Sequence, residues 1–243
     1  MHEITYLAMW SGPRNISTAM MRAWGNRADT RVHDEPLYAH YLLHTGIEHP
    51  GRDEIITTYE SDWRRVVAQI TVPPSDVHTI YFQKHMTHHM LDHIEREWLL
   101  RVTNCFLIRE PARVIASLAK VLPNPGIAQT GFPEQASLFR YVVSKTGVIP
   151  PVIDASDVLK NPRRILSLLC ERINVPFDEA MLHWQTGRRE TDGLWAKYWY
   201  ASVEQSTGFL PEAPNRDPVP DHLRDMLDEC QALYDELAIH RLT

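Results

Sequence analysis

The sequence predicts an α/β fold: a mostly parallel sheet flanked by helices, three layers in all. Three observations carry that prediction. Strand-like apolar runs recur along the chain, helical patterns separate them, and two of the runs stop at a short polar turn that opens a helix. Such alternation marks β–α units, in which crossover helices join parallel strands.

The elements follow in order. Ile4–Trp10 reads as a buried strand that stops at Ser11-Gly12-Pro13. Ile16–Arg27 is amphipathic, with Ala19, Met20, Met21, Ala23 and Trp24 at helical positions and a stop near Gly25-Asn26. A second strand at Val32–His33 leads into a short helix from Pro36 to His44. A longer helix over Asp53–Ile70 ends before Val72-Pro73-Pro74. Thr79–Gln83 and Cys105–Ile108 are the third and fourth strands, and a helix over Glu110–Lys120 follows the fourth directly. Turn formers fill residues 121–132, Pro123 among them, as a lid, a substrate loop or a plain connection. Pro133–Thr146 has proline at its start and Gly147 beyond its end, the expected helix asymmetry. After the short strand Val152–Ile153, Asn161-Pro162 caps a helix that carries Ile165, Leu166, Leu169 and Cys170 on one face. Asp221–Leu242 spaces Leu223, Leu227, Tyr234 and Leu237 as a stripe that packs on the core or, alternatively, on a second copy. With no internal repeat or linker, a single domain over residues 1–243 is expected, as monomer or homodimer.

Composition narrows the class. At 243 residues, 44% hydrophobic and 23% charged, the chain has the make-up of a soluble globular protein. A formal charge of −6 argues against nucleic-acid binding through a basic face. Residues 1–10 show no signal-peptide core, and no apolar run is long enough to span a bilayer. Cys105, Cys170 and Cys230 are odd in number and set in apolar contexts, so buried free thiols in a reducing cytoplasm are expected.

The first strand–loop–helix unit carries chemistry. Such a junction gathers unpaired backbone N–H groups and the positive end of a helix dipole at one point, which suits phosphate. Arg14 adds a fixed charge there, and Ser17 and Thr18 add hydroxyls in the first turn. The same residues also fit an ordinary strand–turn–helix. A second unit supports the anion reading: Cys105-Phe-Leu-Ile-Arg-Glu-Pro-Ala-Arg-Val-Ile-Ala-Ser117 is again a strand, then Arg109, then a proline-opened helix carrying Ser117. Ligands of open α/β sheets bind beyond the carboxyl ends of strands, where both units converge. Two such points imply a ligand with two separated anionic groups.

Taken together, Ser-Gly-Pro-Arg-Asn-Ile-Ser-Thr (11–18) and Leu-Ile-Arg-Glu-Pro-Ala-Arg-Val-Ile-Ala-Ser-Leu (107–118) resemble the two phosphosulfate-binding motifs of sulfotransferases. The resemblance continues through Asp34-Glu35-Pro36-Leu37, Val152-Ile-Asp-Ala-Ser-Asp-Val-Leu, Cys170-Glu-Arg-Ile-Asn-Val-Pro-Phe and Met181-Leu-His-Trp, most of the chain. It is similar to a subgroup sometimes labelled branched-chain aminotransferase-like, although nothing in the chain looks like a pyridoxal phosphate site. The resemblance implies a P-loop nucleoside-triphosphate-hydrolase-like fold, related to nucleotide kinases. It also implies 3′-phosphoadenosine-5′-phosphosulfate (PAPS) as donor and a small-molecule acceptor. By that likeness Arg14, Ser17, Thr18 and the backbone of Asn15 and Ile16 hold the 5′-phosphosulfate, while Arg109 and Ser117 hold the 3′-phosphate. Arg188 or Arg189 of a late basic turn reaches the 3′-phosphate, unless that turn is simply solvated. The chain departs from the family at Asn15-Ile16, where Ser-Gly is usual and glycine lets backbone approach the anion.

The rival chemistry is a P-loop kinase-like phosphotransferase, which needs Gly-x-x-x-x-Gly-Lys-Ser/Thr and Mg²⁺. This loop lacks the second glycine and the lysine. A non-catalytic nucleotide-binding module is the other alternative. Sulfuryl transfer needs a base for the acceptor and charge stabilisation at the transferring group, with no metal required. Glu35, at the end of the second strand, is a candidate base or a plain helix N-terminal carboxylate. Lys84 and His85, just past the third strand, are candidates beside the sulfuryl group by family likeness, with His85 the alternative to Glu35 for taking the acceptor's proton. His85, His89 and His93 are four apart and would share a helical face; a surface cluster is the plainer reading of His89 and His93, and no metal site is expected. Trp195 and Trp199 have the spacing of core residues.

Overall fold

A computed structural model describes residues 4–72, 74, 79–122, 124–211 and 217–243. Pro73 and Pro123, read above as chain breakers, lie outside the described residues. In chain order the elements are β1 (Thr5–Ser11), α1 (Ser17–Gly25), β2 (Thr30–Asp34), α2 (Tyr38–Thr45), α3 (Arg52–Thr58), α4 (Trp63–Ile70) and β3 (Ile80–Met86). There follow β4 (Thr103–Ile108), α5 (Pro111–Ala119), α6 (Phe132–Thr146), β5 (Val152–Asp154), α7 (Ala155–Lys160) and α8 (Pro162–Arg172). Two short helices, α9 (Ala196–Trp199) and α10 (Ala201–Glu204), precede the long closing helix α11 (Arg224–Ala238).

The strands form an all-parallel sheet in the order β2-β3-β1-β4-β5. Period-two alternation splits its side chains between two layers. Leu7 and Met9 of β1, Phe82 of β3 and Cys105 of β4 face one core with α1, α2, α7 and α8. Ala8 and Trp10 of β1, Tyr81 of β3 and Phe106 of β4 face the other with α4, α6 and α11. The α/β expectation therefore holds, with helices on both faces. The three cysteines are buried and free, and no described helix is long and apolar enough to cross a membrane.

Two boundaries differ from the sequence reading in ways that matter. The helix expected over Asp53–Ile70 is two helices: the chain extends at Tyr59 (ψ 154°) and restarts at Asp62, whose carboxylate accepts the Arg64 N–H at 2.9 Å. A capping residue inside an amphipathic run is a start signal that the apolar periodicity masked. The third strand runs three residues beyond Gln83, to Met86, so Lys84 and His85 lie within the strand. His85, His89 and His93 accordingly share no helical face, because Thr87–His89 is a single 3-10 turn.

Strand order creates the site. The connection after β1 leads to β2 on one side, and the connection after β4 leads to β5 on the other. Such a parting of connections is where open α/β sheets form a ligand crevice, and here it falls between the carboxyl ends of β1 and β4, where Ser11 stands in register with Leu107.

Candidate active site

The residues at this crevice follow directly from the two strand ends. Past Ser11 the chain turns at Gly12, where a Cβ would stand 2.7 Å from the Thr130 carbonyl oxygen; the turn before α6 leaves room only for glycine. Arg14 then takes a left-handed backbone (φ 56°), and α1 begins. Among the described residues only Arg14, Glu35 and Asn174 do so without being glycine. Such a conformation costs about 1–3 kcal/mol. Two of the three thus fall among the residues singled out from sequence.

The loop is gripped from both sides. Asn15 donates from Nδ2 to the Leu107 carbonyl at 3.0 Å and accepts the Ile16 N–H on Oδ1 at 2.8 Å. Arg109 donates from Nη1 to the Arg14 carbonyl at 2.7 Å. Asn15 and the Ile16 amide are therefore engaged inside the protein and hold the loop in shape. Ile16 packs its side chain on the α1-side core, which lets a β-branched residue stand where the family has glycine. No side chain caps α1, whereas Asp62, Asp154 and Asn161 cap α4, α7 and α8. An uncapped helix start at a crevice presents its first-turn amides, here with Ser17 and Thr18, to an anion.

Arg14 donates from Nε to Ser117 Oγ at 2.9 Å. The two motifs therefore meet in one contiguous patch, where the sequence suggested two separate anion points. Burial, and then the charge of Arg109, hold the Arg14 guanidinium below its ordinary pKa. Arg14 makes no ion pair among the described residues, and its guanidinium stands beside a second cation, Arg109.

A second cluster lies at the ends of β2 and β3, on the α1 side of the sheet. Lys84 is 1% exposed. Its ammonium donates to Asp34 Oδ1 at 3.0 Å, to the Tyr200 hydroxyl at 2.9 Å and to Glu35 Oε1. Tyr200 donates to Asp34 at 2.8 Å, and the Gly193 amide reaches Asp34 Oδ2 at 3.1 Å. Glu35 has φ 42°, and its own N–H bonds the Lys84 carbonyl at 2.9 Å. Burial pushes the Glu35 carboxyl above its usual pKa against the pull of Lys84, and the neighbouring Asp34 charge adds to the rise. Burial would lower Lys84, yet Asp34 and Glu35 together hold its pKa above the ordinary lysine value. Glu35 Oε2 faces His89 Nδ1 at 3.9 Å. His89 stacks on both Tyr38 and Tyr41, and its Nδ1 has no hydrogen-bond partner among the described residues.

His85 lies elsewhere. It projects from the opposite face of β3, stacked on Trp10 at 4.4 Å between ring centroids and tilted against Trp98 at 5.6 Å, with Nε2 3.1 Å from Gln83 Oε1. Burial drops its pKa to about 3, so it stays neutral in the core. The structure does not bring it to Glu35 or to the first loop. His89, read as surface from sequence, takes the place beside Glu35 instead. Continuing the strand pattern through Met86 would have revealed this, since neighbours in a strand point to opposite faces.

Arg188 is also placed apart. Its neighbour Arg189 bonds the Gln185 carbonyl at 2.5 Å, and the segment is tied to α1 by a buried bidentate pair, Arg22 to Asp192 at 2.5 and 2.7 Å. That turn lines a cavity of about 880 Å³ with Met21, Gly25 and Thr30 to Asp34, over β2, three strands from β4. Arg188 itself is exposed there. Of the late aromatics, Trp195 and Tyr200 are buried, but Tyr198 and Trp199 are 40% and 44% exposed, so the spacing argument holds for Trp195 alone of its pair. Tyr200 joins the Lys84 cluster, a role that no local pattern signalled.

Comparison with known proteins agrees with this architecture. The chain is 35% identical over 242 residues to branched-chain-amino-acid aminotransferase-like protein 1 of Arabidopsis thaliana, covering 99% of this chain and 43% of that protein. It is 33% identical over 231 residues to protein 2 of the same name and plant, covering 95% and 41%. The chain thus spans about two fifths of either curated relative. Among solved structures, the sulfotransferase domain of the Synechococcus PCC 7002 olefin synthase shares its fold, with TM-score 0.51 and 15% identity over 98% of this chain and 95% of that one. The sulfotransferase domain family matches residues 5–239, and the chain belongs to it.

Proposed function

We propose that the protein is a PAPS-dependent sulfotransferase acting on a hydroxyl or amine of a small molecule. One observation carries the reading: an uncapped helix start and the Arg109–Ser117 pair face one crevice, joined by Arg14. The residues present fit a nucleotide with two anionic ends. The 5′-phosphosulfate lies on the first-turn amides of α1 with Ser17 and Thr18, and the 3′-phosphate lies toward Arg109 and Ser117. Arg14, at the loop's start and bonded to Ser117, would meet the charge that builds on the bridging oxygen.

In the transfer step the acceptor oxygen or nitrogen forms a bond to sulfur while the bond from sulfur to the 5′-phosphate oxygen breaks. The acceptor's proton passes to the Glu35 carboxylate, whose raised pKa suits a base, and His89 stands ready on its far side. Lys84 holds Glu35 in place and offsets its charge. The leaving group is 3′,5′-adenosine bisphosphate, its new charge met by the α1 amides and Arg14.

Titration calorimetry tests the donor reading. Arg109→Ala is expected to weaken 3′,5′-adenosine bisphosphate by about 10- to 100-fold, the loss of a charge-assisted hydrogen bond, and AMP far less. Ser117→Ala should act in the same direction by a smaller factor. Equal losses for both nucleotides, or tighter binding of ATP with Mg²⁺, would overturn the reading in favour of kinase-like chemistry.

A further inference from the structure

We propose that His40, His44 and His93 form a binding site for a transition-metal dication, with Zn²⁺ as the occupant that fits. The proposal does not depend on the sulfotransferase reading. His40 and His44 stand one turn apart on α2, and His93 reaches them from the segment after β3. One potential ligand nitrogen from each lies within 4.8 Å of the other two.

Hydrogen bonding sets the direction of these rings. His40 Nδ1 is 2.8 Å from the Ser61 carbonyl, and His44 Nδ1 is 3.0 Å from the His40 carbonyl. A carbonyl oxygen can only accept, so each Nδ1 carries the proton. In a neutral ring that leaves Nε2 as a bare lone pair. His93 Nε2, 2.8 Å from that of His40, therefore carries a proton and donates it, and an entering ion would take that proton's place as His93 shifts its own proton to Nδ1. Metal-bound histidines are oriented in this way, one nitrogen on the metal and the other donating to a carbonyl behind it.

The donor set selects the ion. Three neutral imidazoles suit Zn²⁺ and its neighbours, while Mg²⁺ and Ca²⁺ require oxygen ligands. Tetrahedral Zn–N bonds of about 2.0–2.1 Å put ligand nitrogens roughly 3.4 Å apart. The present spacing brackets that value, and His44 and His93 are exposed. Their exposure leaves the fourth position to water. A bound ion would tie α2 to the His93 segment and, through Ser61, to the link between α3 and α4.

The test uses untagged protein stripped with a chelator, then titrated with Zn²⁺ and with Co²⁺. One equivalent is expected, with visible Co²⁺ absorption of a four- or five-coordinate site and a melting temperature that rises with metal concentration. His44→Ala and His93→Ala should each weaken binding at least tenfold, and His93→Gln, which keeps hydrogen-bonding ability but ligates poorly, should do the same. The exposed His183→Ala should bind as the parent does. Binding unchanged in all three site variants, an equal loss in His183→Ala, or less than one equivalent would overturn the proposal. Adenosine bisphosphate affinity, measured on the same samples, is expected to stay constant, which separates this result from the donor test.

Discussion

Lys84 and His85 are adjacent in β3, equally buried at 1% exposure, and opposite in every other respect. Lys84 faces α1 and meets two carboxylates and a phenol. His85 faces α6 and meets two indoles and one amide oxygen. The pleat alone separates them. One side chain keeps its charge because opposite charges surround it; the other loses its charge because nothing does. Chemistry at a strand end is thus decided by face as well as by position.

Substitutions at the two residues sharpen that contrast. The largest effect is expected from Lys84→Met, which keeps volume but leaves Asp34 and Glu35 buried without their cation. Breaking such a buried cluster costs about 3–5 kcal/mol, measurable by denaturant unfolding. A loss under about 1 kcal/mol would show the cluster to be well solvated. Next comes Glu35→Gln: turnover should fall by about 10²- to 10⁴-fold with bisphosphate affinity little changed, as for removal of a general base. His85→Phe, by contrast, should leave turnover within a few-fold, since the ring can still stack on Trp10. A turnover loss matching that of Glu35→Gln would reverse the assignment of the two faces.

His85→Phe should also alter acid sensitivity. The folded pKa of His85 is depressed to about 3, below the ordinary value of 6.5. Above pH 6.5 neither state is charged and its contribution to stability is complete. Below that the unfolded chain binds a proton that the native ring refuses, and stability falls by about 1.4 kcal/mol per pH unit toward pH 3. At pH 5 this amounts to about 2 kcal/mol, which the variant should not lose. Superimposable stability–pH curves for parent and variant would show that the buried ring takes up a proton as readily as the unfolded chain does. The smallest effect is expected at Tyr200→Phe, about 1–2 kcal/mol, because the hydroxyl given up both donates to Asp34 and accepts from Lys84 and the Trp195 indole.

Sequence made some of this visible and hid the rest for physical reasons. β1 and β4 announce themselves because buried parallel strands are continuous apolar runs, and each ends at an arginine-bearing turn. Arg14, Arg109 and Ser117 could therefore be placed at one crevice before any coordinates. β3 is different: before its last residue, Met86, it runs through Gln83-Lys84-His85, polar residues that look like loop, so the faces of Lys84 and His85 were lost with the strand. Asp34 and Tyr200 are 166 positions apart, and no local pattern pairs them. The cluster of His40, His44 and His93 was likewise hidden, because the visible spacing joined His93 to His85 and His89.

The double grip on the first loop has a consequence for how a donor binds. Asn15 fastens it to the tip of β4, and Arg109 fastens it again one residue earlier. A cradle already set in its final shape surrenders little conformational freedom when a ligand arrives, so contact energy is not spent on ordering the chain. Cutting the Asn15 fastening, as in Asn15→Ala, should leave the fold intact yet make capture of the nucleotide entropically dearer, a change that calorimetry reads as a less favourable TΔS of binding.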